Sequence, residues 1–310
     1  MTNYFIWLAI AAALVLSVDA ADAKALAPKN VAKAMRRHQL PLPESLRAPL
    51  ARRLAAKEEI RRRFGLIGLA VGAAAGLAAV GLGQAPLASV LVLFPAVIGL
   101  ALGAASAASR FHESADPDAP RVARTRATSV EDYVTVHERR AAGMSLGAIG
   151  LAAVTVVVLW ALVPVQMPAG WLVLPLTLAA VGLALLLMVA RKAGEAVEHP
   201  QRASSDLELA WDDALRAHSL REILDMVTVG GVTVAMLVLL QMAQWVAWIG
   251  DAQVQREALW VLAPAGFAVT AACWMVVGIV WIVGRTKANP SRKALWGDRD
   301  FGEEAAHAAH

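Results

Sequence analysis

Seven stretches of this chain, residues 4–20, 65–83, 86–107, 144–165, 170–190, 226–249 and 259–284, have no Lys, Arg, Glu or His at their centres. Each meets or approaches the roughly 20 apolar residues that a helix needs to cross a hydrocarbon core about 30 Å thick. No other feature constrains the fold as much, because in lipid every backbone N–H and C=O has to be satisfied within the protein. Only helices and closed barrels manage that. The runs are continuous and rich in Leu, Ala and Val, whereas barrel strands alternate over segments of about ten residues, so helices are indicated. Composition agrees: 58% of the 310 residues are hydrophobic and 17% charged, against roughly 45–50% and about 25% in soluble domains. The expectation is an all-α, polytopic transmembrane bundle of seven spans, with no soluble domain of useful size.

The connectors set the orientation. Segments 21–64, 108–143, 191–225 and 285–310 hold 28 of the 29 Lys and Arg residues, and the opposite side holds only Arg256. An excess of Lys and Arg marks the cytoplasmic face, which places the N-terminus outside and the C-terminus inside. The layout is then a transmembrane anchor (1–20), a basic cytosolic amphipathic segment (21–64) and three helical hairpins (65–107, 144–190 and 226–284). Cytosolic loops (108–143 and 191–225) separate the hairpins, and a cytosolic tail (285–310) follows. The first span has an A-x-A-like site at Ala21–Ala23, as a secretory signal would. No basic residue precedes its apolar core, and twelve Lys/Arg follow in 21–64, so an uncleaved anchor is expected. Trp7, Trp160, Trp171, Trp245, Trp248 and Trp260 all fall at outward-facing ends, where an indole is half apolar and half wet. The net charge of +4 arises mainly in the first basic segment. Such cations meet anionic headgroups, so lipid is the expected partner and nucleic acid is not.

The hairpins look like a threefold repeat. The second helix of each has an early proline (Pro95, Pro175, Pro264), then terminal cations (Arg110, Arg191, Arg285) and an X-Pro stop (Asp116-Pro117, His199-Pro200, Asn289-Pro290). Short helices are expected inside the inner connectors. Ser205 with Glu208 has the form of a capping box, after which Leu207, Trp211 and Leu215 share a face. Ser129 is placed to cap a helix with Tyr133 and Val134 on its apolar side. Pro49 suits a first turn, Leu50, Leu54 and Phe64 form a broken stripe, and Glu58–Arg62 and Glu59–Arg63 are spaced for i,i+4 pairs. Such pieces cover the inner end of a bundle, lie at headgroups or dock a partner.

Gly68, Gly72 and Gly76 recur every four residues on one helix face, and Gly99 with Gly103, and Gly143 with Gly147, repeat the spacing. Close backbone contact through small residues is a main source of helix attraction in lipid. These glycines are therefore candidate packing sites, within the chain or between copies in a homo-oligomer. The search for chemistry yields little. An ionisable residue inside a span is the usual mark of a transport or proton site, and no span has a charged residue at its centre. Gln241 and Gln244 form a candidate polar cavity near the outer end of the sixth span. Glu303, His307 and His310 have helical metal-ligand spacing in a tail, and His112-Glu113 and His137-Glu138 read as solvated surface. Cys273 stands alone, and no nucleotide-binding or nucleophile-elbow pattern is present. No cofactor, metal or catalytic residue is expected.

The Ala/Gly/Val-rich helices, the 22 Arg against 7 Lys, and the inner phrases "RATSVED" from Arg126 and "RASSDLE" from Arg202 together resemble a group of uncharacterised multi-pass membrane proteins of high-GC Gram-positive bacteria. The resemblance covers the inner loops and the helix layout, and implies no activity or functional residues. Two functional readings stand beside each other. The first is a non-enzymatic scaffold or accessory subunit that holds cytosolic or membrane partners through its inner segments. The alternative is a permease subunit for a neutral or lipidic substrate, coupled to a separate ABC-type ATPase.

Overall fold

A computed structural model describes residues 8–9, 11–13, 40–82, 84, 87–110, 128–162, 170–198, 203, 205–248, 275, 277–280, 282–283, 290–297 and 301. Among these the chain is all-helical: α1 (Glu44–Gly81), α2 (Ala88–Arg110), α3 (Val130–Tyr133), α4 (Val136–Leu162), α5 (Gly170–Glu198), α6 (Asp206–Trp248) and α7 (Pro290–Trp296). Five of them, α1, α2, α4, α5 and α6, are long and apolar enough to cross a membrane. The first and seventh expected spans fall largely outside the described residues. Short helical pieces of both are seen, and Ala11 of the first is buried in the bundle core.

Two helices are far longer than a bilayer requires. At 1.5 Å per residue, the 38 residues of α1 reach about 57 Å and the 43 of α6 about 65 Å, roughly twice the hydrocarbon thickness. Their charged N-terminal halves must therefore project beyond the apolar slab. α6 starts on Ser205, whose Oγ accepts the Glu208 backbone N–H at 3.1 Å. It then runs on to Trp248 without a break, because no Pro or Gly occurs between Ser205 and Gly230. The capped inner helix and the sixth span are thus one rod. In α1, Pro49 sits in the second turn, not the first, because the helix begins at Glu44 behind Pro43.

The apolar slab is built around α2 and α6, whose spans are 78% and 67% buried, whereas those of α1, α4 and α5 are 28–33% buried. Ile67, Leu77, Val154 and Val173 are all exposed on these outer helices, as lipid-facing side chains should be. α1 and α2 form an antiparallel hairpin with the most extensive contact in the molecule. The next pair behaves differently: α4 and α5 touch each other less than either touches α6. α4 lies parallel to α6 because Gly231 lets it come close. A methyl at Gly231 would lie 2.8 Å from Ser145 Oγ, and that hydroxyl donates to the Ala142 carbonyl at 2.8 Å and the Val227 carbonyl at 3.1 Å.

Beyond the slab a second, smaller core forms. Leu50 and Leu54 of α1 pack on Leu207, Trp211 and Leu215 of α6, together with Leu40 and Phe301. Trp211 Nε1 donates to the Pro41 carbonyl at 2.9 Å, and Trp296 of α7 meets Phe301 edge-on with centroids 5.2 Å apart. In water each such buried side chain contributes about 1.5–3 kcal/mol. The apolar stripes of the inner segments are therefore spent on each other. The short helix α3 packs into the larger core of the bundle. Its Ser129 backbone N–H donates to Asp132 at 2.8 Å in a capping box, and Tyr133 and Val134 are buried.

Candidate functional site

The charged halves of α1 and α6 do not simply face water. Lys57, Glu138, Asp213, Arg216, Ser219 and Arg221 are buried and form a polar and ionic network where the apolar slab meets the second core; Asp225 and Thr228 are buried on the same helix. About three turns of α6 supply its axis, with Asp212, Asp213, Arg216, His218, Ser219, Arg221 and Glu222 along them. Because 3.6 residues make a turn, these side chains radiate toward all the neighbours of α6.

On the α1 side, Lys57 forms an ion pair with Glu222 and donates to Ser219 Oγ at 3.1 Å. Glu222 is also approached by Arg61 at 3.5 Å and by His218 at 3.2 Å, and Arg53 reaches Asp212 at 3.4 Å. Arg61 is shared with Glu58 at 3.1 Å. Glu58 thus meets Arg61 three residues on, and Glu59 makes the expected pair with Arg63 at 2.7 Å. Burial alone would raise the Glu222 carboxyl. Lys57, His218 and Arg61 outweigh it and bring the group down to about 2.

On the other side, Tyr133 of α3 and Trp296 of α7 both donate to the Asp213 carboxylate, each at 2.9 Å. Burial, followed by the negative charge of Asp213, pushes the Tyr133 hydroxyl up to about 12. Arg216 donates to the Val197 carbonyl of α5 at 2.9 Å, and Arg221 reaches Glu138 of α4 at 3.5 Å. Glu138 also accepts the Thr135 backbone N–H at 2.8 Å and its hydroxyl at 2.9 Å. This corrects the expectation of a solvated His137-Glu138 pair: the first turn of α4 points Glu138 inward as its cap and as the partner of Arg221. His112-Glu113, Cys273, Glu303, His307 and His310 lie outside the described residues.

The network thus ties α1, α3, α4, α5 and α7 to one helix. Breaking a buried ion pair costs about 3–5 kcal/mol, because it strands the remaining charge. Lys57 and Ser219 have the pairing of a Ser–Lys nucleophile, but the amine lies against Glu222 and the hydroxyl is buried, which suits a structural tie. No group of three or more His, Cys, Asp or Glu among the described residues is arranged to hold a metal.

Of the glycines, Gly68 and Gly72 lie against the α2 backbone. A methyl would come within 2.3 Å of the Pro95 carbonyl oxygen at Gly68 and 2.6 Å of the Val92 oxygen at Gly72. Gly72 also faces the Leu91 oxygen, the acceptor whose helical partner Pro95 removes. Gly99 abuts the Phe64 carbonyl and the Gly68 Cα, and Gly103 abuts Arg61 and Phe64. Gly76 is buried on the same face. Gly143 and Gly147, by contrast, are exposed and a methyl at either would meet nothing within 4 Å. Gln241 is buried, its Oε1 without a hydrogen-bond partner. Gln244 follows on the same helix, and its side chain lies outside the described residues.

No protein-family model matches the chain, and no curated protein or solved structure is similar to it.

Proposed function

We propose that the chain is a seven-span protein of a bacterial plasma membrane, N-terminus outside, which acts as a scaffold or accessory subunit of a membrane complex. The observation that carries this reading is the unbroken passage of α1 and α6 from the apolar slab into an ion-paired platform with its own core. A partner bound to that platform is coupled rigidly to the bundle. With the apolar faces of the platform turned inward, the partner meets its charged exterior, where Arg47, Arg52 and Arg63 are exposed. That surface suits an acidic face of a cytosolic or membrane protein, an ABC-type ATPase included. The test is purification in mild detergent of the wild type and of Arg52→Glu with Arg63→Glu. A protein that co-elutes with the first and not with the second supports the scaffold; no co-eluting protein contradicts it. Orientation is tested separately by thiol labelling of intact cells, which should leave a cysteine introduced at position 126 or 202 unmodified.

A permease for a neutral or lipidic substrate is favoured by one observation, the partnerless amide oxygen of Gln241 buried among the helices. Under that reading Gln241→Leu with Gln244→Leu abolishes uptake of the substrate, whereas a scaffold keeps its partners.

A further inference from the structure

Between α2 and α5 a cleft of about 130 Å³ is lined by Leu102, Ala105, Ser106, Met188, Val189 and Lys192. The two helices run side by side in the same direction, Phe94 and Gly182 meeting deeper in the slab. Leu102 to Ser106 and Met188 to Lys192 are therefore matching steps of one helical turn, about 6 Å each, toward the charged end. The wall of the cleft is apolar toward mid-slab and polar toward the charged end on both helices. Lys192 is the second cation after the apolar run of α5, which puts its ammonium at headgroup depth. Glu195 pairs with it at 2.5 Å, and the adjoining Arg191, exposed on the next position, leaves the rim net positive. Along the mouth, Leu187 and Met188 are exposed, as is Val181 two turns deeper.

From this amphipathic gradient we infer that the α2–α5 cleft binds an acidic phospholipid of the leaflet at the charged end. Its headgroup phosphate sits at Lys192 and the Ser106 hydroxyl, and an acyl chain runs down the Leu102–Met188 wall. Complementarity has two parts, a cationic rim for the phosphate and an apolar floor for the chain, and they are stacked in the order of a lipid's own parts. The inference is independent of the scaffold reading, since it uses neither the platform nor a protein partner.

The test is native mass spectrometry of the delipidated full-length protein titrated with phosphatidylglycerol or phosphatidylcholine. Wild-type protein should retain phosphatidylglycerol in preference to phosphatidylcholine. Lys192→Gln should weaken phosphatidylglycerol binding by about fivefold, the effect of one charge near an anionic surface. Lys192→Arg should restore it, and Arg140→Gln, exposed near the start of α4, should leave it unchanged. Ser106→Leu, which fills the cleft and removes the hydroxyl, should lower it as well. Equal retention of the two lipids, or equal loss in Lys192→Gln and Arg140→Gln, would overturn the site in favour of a diffuse basic surface. Displacement of the lipid by millimolar inorganic phosphate would overturn it in favour of a free-anion site.

Discussion

The two halves of α1 are held by different physics, and so are those of α6. In the apolar slab, Gly68, Gly72, Gly99 and Gly103 bring backbones together, because lipid offers little hydrophobic drive and close packing has to supply the attraction. At the charged end α1 and α6 bury leucines and tryptophan against each other and lock Lys57 against Glu222. There water supplies the hydrophobic drive, and burial makes each ion pair costly to break. The difference shows how one continuous helix adapts to two solvents: small residues carry it through lipid, and paired charges carry it past the boundary.

The largest effect that would break this contrast is expected at the boundary. Lys57→Met removes the main partner of Glu222 and should destabilise the protein by about 3 kcal/mol. This lies at the low end of the range for buried pairs because Arg61 and His218 remain beside the carboxylate. Thermal unfolding in detergent gives the measure. In the slab, Gly68→Val should cost about 1–3 kcal/mol through overpacking against Pro95. Gly147→Ala, facing open space, should stay within about 0.5 kcal/mol.

Acid titration sharpens the contrast further. Glu222 is held at about 2 in the folded protein against 4.5 unperturbed. Its stabilisation is therefore complete above the unperturbed value and is lost as pH falls from about 5 toward about 2. Glu222→Gln should be less stable at neutral pH and should flatten that loss, as unfolding followed across the window will reveal. A more modest effect is expected at Asp213. Tyr133→Phe removes one hydrogen bond to the carboxylate and should cost about 1 kcal/mol. The Tyr133 contribution is present below pH 10 and is lost as pH rises through about 12, and the variant should lack that alkaline component.

How far the sequence anticipates this structure depends on the range of each interaction. The apolar runs, the glycine face of α1 and the Leu207–Trp211–Leu215 stripe are local periodicities, and each can be read from a dozen residues. The continuity of α6 is not anticipated: 191–225 reads as a loop with a short capped helix and 226–249 as a separate span, although no breaker separates Ser205 from Gly230. The seventh span and the tail, including Cys273 and His307, fall mostly outside the described residues. What sequence alone did not reveal is the burial of Lys57, Glu138 and Arg221. On one helix, charges at three- and four-residue spacing look like a solvated face, and only partners 83 to 165 positions away turn them inward. The parallel pairing of α4 with α6 was hidden for the same reason: it rests on Ser145 meeting Gly231, two small residues with no periodic signature.

A double-mutant cycle across α1 and α6 tests most directly whether the membrane bundle and its charged platform are one latched unit. Lys57→Met, Glu222→Leu and their combination would each be unfolded in detergent at neutral pH. If the pair is the latch, the double variant should be more stable than Lys57→Met alone, with a coupling energy of about 2 kcal/mol or more. Additive losses, with coupling within about 0.5 kcal/mol of zero, would contradict it, since they would mean that Lys57 and Glu222 do not hold the two helices together.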